Sequence, residues 1–162
     1  MSADTPLAAA KDVKDLLNSL VGREVEVYAS GKMQEPTVGD GNLIGVYVDN
    51  RMALSGLVLL DVPLAAFLGA ALGLVPVKLA QQAANHGGLP DNLLENASEV
   101  LNVMSALFNA EDAPHVRLQT VYEPGHPLPA DVARWVPAFV PRCDLEIDVA
   151  GYGRGGFSLL VV

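Results

Sequence analysis

The chain has 162 residues, enough for one domain with a sizeable core, and 51 % apolar against 18 % charged residues argues against disorder. A net charge of −9, with ten basic residues scattered from Lys11 to Arg154, argues against nucleic acid as a partner and against an anionic membrane surface. The lone cysteine, Cys143, excludes an internal disulfide and a Cys-Cys metal site, which fits a reducing cytoplasm.

The first stretch, MSADTPLAAAKDVKDLL, has no basic head before an apolar run and does not read as a signal peptide. Thr5-Pro6 predicts an N-cap and first helical residue, and Gly22 a stop. Leu7, Ala10, Val13, Leu17 and Leu20 form the predicted buried stripe between them. Glu24 to Val27 alternates as a half-exposed strand, and Gly31 to Gly41 reads as a mobile polar loop. Two strands follow, near Asn42–Val48 and Met52–Leu60, joined by the turn signal Asp49-Asn50. The second is continuously apolar, as a central strand covered on both faces would be. The one membrane suspect is Met52 to Leu79. Asp61 interrupts it, and the uncharged run beyond, Val62 to Val77, is 16 residues long and holds Pro63, Gly69, Gly73 and Pro76. A membrane helix needs about 20 apolar residues. The segment therefore predicts a strand and buried helices: one opened by Asp61-Val62-Pro63 and closed by Gly73, then a short one from Pro76 to Ala84.

Pro90 to Asn109 predicts one amphipathic helix capped by Asp91. Leu93, Ala97, Val100, Met104 and Leu107 recur at spacings of four and three, which marks a core stripe. Glu95, Glu99, Asn102, Ala106 and Asn109 recur about two residues out of phase, a rotation of roughly 200°, so they share the opposite face. Glu99 and Asn102 lie one turn apart and can converge on one partner. A carboxylate there can pair with an incoming cation, and a carboxamide can orient a water molecule. The same residues would also serve as an ordinary solvated helix face.

Downstream, His115 to Tyr122 reads as a strand, Pro124 to Pro129 as a loop and Asp131 to Phe139 as a short helix whose Trp135 covers core or anchors a partner. Cys143, Leu145, Ile147 and Val149 alternate with Asp144, Glu146 and Asp148 as a strand, with Cys143 a small buried hydrophobe. Gly151 to Gly156 reads as a turn and not a phosphate loop, because it precedes a strand and opens no helix. His86, His115 and His126 are irregularly spaced and predict no metal site, and no cofactor is implied. The last strand, Phe157 to Val162, is apolar without a charged gatekeeper. As an open edge it would pair with a second copy into a homodimer; as a central strand it would be covered within one monomer. About six strands arrive in neighbouring hairpins with three or four helices. That order predicts a single α+β domain over residues 1–162, a mostly antiparallel sheet with helices packed on one face.

Glu99-Val100-Leu101-Asn102-Val103-Met104-Ser105-Ala106 resembles the E-x-x-N-[MI]-x-x-G signature of the CheC/CheX/FliY chemotaxis phosphatases. The likeness extends to the strand–helix lead-in Ser55 to Asp61 and to Pro124, 22 residues after Asn102. Ala106 stands where that family has glycine, and Glu95 where it has a small polar residue. One such helix is visible, as in CheX. The resemblance implies a CheC-like fold, a homodimer formed through the sheet, and action on the aspartyl phosphate of a response regulator. Asn102 would orient the attacking water and Glu99 would pair with a lysine of the phosphorylated receiver domain, which carries its own Mg²⁺. Glu95, Ala106 and Asn109 would then line the docking face. A non-catalytic interaction module with the same fold, binding a signalling or flagellar-switch partner, is the rival expectation.

Overall fold

In the computed structural model, which describes residues 5–35 and 41–162, Gly22 takes the left-handed conformation (φ 65°) and ends the first helix, α1 (Ala10–Val21). The helix starts four residues later than Pro6. Asp12 reaches back to accept the Ala9 amide at 3.0 Å, which satisfies one free N–H at the helix start. Val13, Leu17 and Val21 form its buried stripe, while Leu7 lies before the helix and is exposed.

Six strands follow the predicted order: β1 (Val25–Ala29), β2 (Asn42–Val48), β3 (Leu54–Asp61), β4 (Arg117–Tyr122), β5 (Arg142–Val149) and β6 (Gly153–Val161). They form one antiparallel sheet in the order β1-β5-β6-β3-β2-β4. Residues 36–40 of the predicted loop lie outside the described residues. The final strand pairs with β5 on one side and β3 on the other. A dimer built on β6 would have to break one of those ladders, so the open-edge expectation is corrected: the sheet's edges are β1 and β4. The glycine-rich segment is also corrected, since Gly153 to Gly156 already belongs to β6.

The remaining helices are α2 (Val62–Gly73), α3 (Val77–His86), α4 (Asp91–Val103) and the short α5 (Ala130–Ala133). The carboxylate of Asp61 caps α2 by accepting the Leu64 amide at 2.9 Å, and its other oxygen accepts the Gly156 amide at 2.7 Å. One side chain thus ties the start of α2 to β6. The approach needs glycine: a Cβ on Gly155 would lie 2.5 Å from the Leu64 nitrogen. Val62, residues 64–71 of α2 and its neighbours on β3 are buried, which explains the long apolar run without a membrane. No helix among the described residues is long and apolar enough to cross one.

The long helices pack on one sheet face. The other face has its own apolar cluster, in which Val132 and Val136, with Leu128, Trp135 and Val140, cover Ile44, Val46, Leu57, Leu59 and Leu160. The α5 region is therefore a lid over the second face, and Trp135 is part of it. Arg142 holds that lid down. Its guanidinium donates to the Val136 carbonyl at 2.9 Å and forks onto Asp144 at 2.9 and 3.1 Å.

Candidate functional site

Helix α4 follows Pro90, and Asp91 is its first residue, not its cap. Asp91 makes no capping bond, but its charge lies in the first turn, where the helix dipole favours an anion. The helix docks closely on α2. A Cβ on Gly69 would lie 2.7 Å from the Leu93 carbonyl oxygen, and Asn96 donates to the Gly69 carbonyl at 3.1 Å. All five residues of the predicted core stripe, Leu93, Ala97, Val100, Met104 and Leu107, are buried.

The α-helix stops at Val103. Met104–Phe108 continues as a 3₁₀ turn, so the single helix expected to Asn109 is corrected. A 3₁₀ turn winds at 3.0 residues per turn instead of 3.6, which shifts the later members of any helical row. Tertiary packing favours the switch. The Phe108 ring packs at a tilt against Tyr47 with centroids 4.6 Å apart, over Gly56, where an added Cβ would lie 2.2 Å from the ring. Tyr47 is fully buried, and its hydroxyl donates to the Leu101 carbonyl at 2.5 Å.

Glu95, Glu99, Asn102 and Ala106 are exposed. Asn109 is not one of this row. Its carboxamide donates to the carbonyls of Ser105 (2.9 Å) and Val116 (3.0 Å) and accepts the Val116 amide at 2.8 Å. It closes the loop that leads into β4, so its place on the docking face is corrected. The side chains of Glu99 and Asn102 have no hydrogen-bond partner among the described residues, and both sit on a helix anchored by its opposite face. The pair can offer one anionic acceptor and one group that both donates and accepts. Sequence reasoning missed Asn96 and Tyr47. Asn96 carries no periodic signal, and Tyr47 reads as one more apolar residue of a buried strand.

Among the described residues no three His, Cys, Asp or Glu side chains gather to hold a metal ion. Cys143 is half-buried, and burial, with the Asp144 charge next to it, raises its thiol pKa. That favours the protonated thiol over the nucleophilic thiolate.

No protein-family model matches the chain, and no curated protein matches it. Solved structures do. The Helicobacter pylori FliM of a FliM–SpeE complex is 12 % identical at a TM-score of 0.63, the match covering 94 % of this chain and 80 % of that one. FliM from an H. pylori FliG–FliM complex is 13 % identical at 0.55, covering 94 % and 85 %. Thermotoga maritima FliY is 13 % identical at 0.55, covering 91 % and 81 %. The chain has the FliM/FliY fold. At these identities the likeness is one of fold. It agrees with the α+β architecture implied by the CheC/CheX/FliY resemblance, and FliY itself is one of the proteins that carry it.

Proposed function

We propose that the chain is a CheX-like phosphatase that hydrolyses the aspartyl phosphate of a response regulator's receiver domain. One observation carries this reading. Beyond the first turn of α4, Asn96 and Asn109 are each tied to the fold, whereas Asn102 stands exposed and uncommitted one turn from Glu99. Asparagine is a mediocre helix former, and nothing in the packing asks for it there.

In this reading Glu99 pairs with a lysine of the receiver domain and fixes the docking. Asn102 holds a water molecule in line with the phosphorus. Water attacks, the bond between phosphorus and the aspartyl oxygen breaks, and phosphate and a free carboxylate leave. Mg²⁺ is the regulator's own, so Asn102 contributes position and not charge. Ala106, small and exposed, lets the partner's surface approach. Such a partner places the chain in the cytoplasm.

The test is release of phosphate from phosphorylated receiver domains, measured with and without the chain. Acceleration by the wild type supports the proposal, and its absence across the host's receiver domains overturns it. The likeness to FliM favours a second reading, a non-catalytic module that binds a receiver domain or a flagellar-switch component. Ala106 in place of glycine and Glu95 in place of a small residue favour it too. That reading predicts a saturable complex without turnover.

A further inference from the structure

Asn102 is exposed, yet the peptide that carries it is held from inside. The carbonyl of Leu101 is bonded directly to the Asn102 nitrogen, and it is the acceptor of the Tyr47 hydroxyl. We propose that Tyr47 is a positioning residue for Asn102, its buried hydroxyl fixing the 101–102 peptide against the sheet so that the carboxamide projects from a set place. This rests on the phosphatase reading and adds to it a residue that touches no substrate.

Several features converge on that one contact. Tyr47 sits where β2 slips register with both of its neighbours: the pairing with β4 shifts between Val46 and Tyr47, and that with β3 between Tyr47 and Val48. Bulges of this kind re-aim a side chain. Gly45, two residues earlier on the same face, leaves room for the ring. A Cβ there would lie 3.1 Å from Tyr47 Cε2 and 3.2 Å from its hydroxyl oxygen. Phe108 closes the other side, seated over Gly56. Burial raises the Tyr47 pKa well above its ordinary value, so the hydroxyl stays a donor at neutral pH. The contact also falls just before the α-helix gives way to the 3₁₀ turn at Met104, where the helix's own hydrogen-bond ladder changes.

The experiment compares wild type with Tyr47→Phe, which keeps the ring and removes only the hydroxyl. Two quantities are measured well below the melting temperature: the kcat and KM of phosphate release from a phosphorylated receiver domain, and amide hydrogen exchange at Asn102 and Val103. The expected result is a fall in kcat of about tenfold or more with KM little changed, since misplacement of a positioning group by an ångström can cost this much, and faster exchange at both amides. Gly45→Ala, which crowds the ring and keeps the hydroxyl, is expected to move both in the same direction by less, and it carries the test if Tyr47→Phe does not fold. A lower melting temperature with unchanged kcat and unchanged exchange would make Tyr47 a core residue only and overturn the inference. If wild type releases no phosphate, the phosphatase reading fails and exchange alone decides: faster exchange keeps Tyr47 as the anchor of the Asn102 backbone, and unchanged exchange rejects it.

Discussion

Asn102 and Asn109 carry the same carboxamide, and their surroundings put it to opposite uses. The first faces solvent; the second bridges Ser105 and Val116 inside the fold. If the proposed phosphatase function holds, Asn102→Ala should abolish phosphate release while changing stability by no more than about 0.5 kcal/mol, as surface substitutions usually do. Phosphate release and urea denaturation on one preparation check both halves, and a loss of several kcal/mol would place Asn102 in the core. Glu99→Ala should raise KM more than it lowers kcat. Asn109→Ala strips the Val116 amide and carbonyl of their partner beside a fully buried side chain. Leaving such groups unpaired costs about 1–3 kcal/mol each. A drop in unfolding free energy of at least that size should appear in the urea midpoint. Both asparagines were legible as a recurrence on one face. That the second turns inward was not, because the donors and acceptors it meets at Val116 lie beyond the helix.

At the scale of elements, the capped strand–helix junction around Asp61 was readable from Asp61-Val62-Pro63, whereas its contact with Gly156 was not. That contact depends on which strand lies beside β3, and the two residues are distant in sequence. The junction also has a pH signature. Burial raises the Asp61 pKa above its ordinary 3.8, the amides of Leu64 and Gly156 pull it down, and the Glu146 charge adds to the rise. A carboxyl whose pKa is higher in the folded chain than in the unfolded one favours folding most when protonated. Its contribution is full below 3.8 and is lost as pH rises through the folded value. Asp61→Asn removes this titration while keeping a side chain of the same shape. The stability of wild type minus that of the variant should therefore be largest in acid and shrink as pH rises. Thermal melts of both proteins between about pH 3.5 and 6 measure this difference, with the other carboxylates cancelling between them. A gap that widens with pH would contradict the raised pKa. The α4 boundary follows the same logic as Asp61. Its apolar period runs on through Leu107, but the contact of Phe108 with Tyr47 over Gly56 accompanies a tighter last turn.

For the molecule as a whole, the position of β6 is decisive. Read from the sequence, Phe157 to Val162 suits either an edge or a centre, since an apolar run satisfies both. The sheet places it third of six strands, between β5 and β3. Deleting Phe157–Val162 should therefore abolish cooperative unfolding, because it removes the fully buried Phe157, Leu159 and Leu160, all of the pairing with β3 and half of that with β5. Circular dichroism and a urea titration on the shortened chain check this, and a folded truncation would show the strand to be peripheral. What the sequence determined by itself was whatever repeats over one or two turns or along one strand: the buried stripe of α4, the alternation of β5, the stop at Gly22 and the exposed Glu99–Asn102 pair. These depend on periods of 3.6 and 2 that any short segment carries within itself. Tertiary structure alone decided the strand order, the lid of the α5 region over the second sheet face, the 3₁₀ end of α4 and the inward turn of Asn109. Each of those depends on groups far apart in the chain meeting at hydrogen-bond or van der Waals distance, and no local period encodes which distant segment will supply the partner.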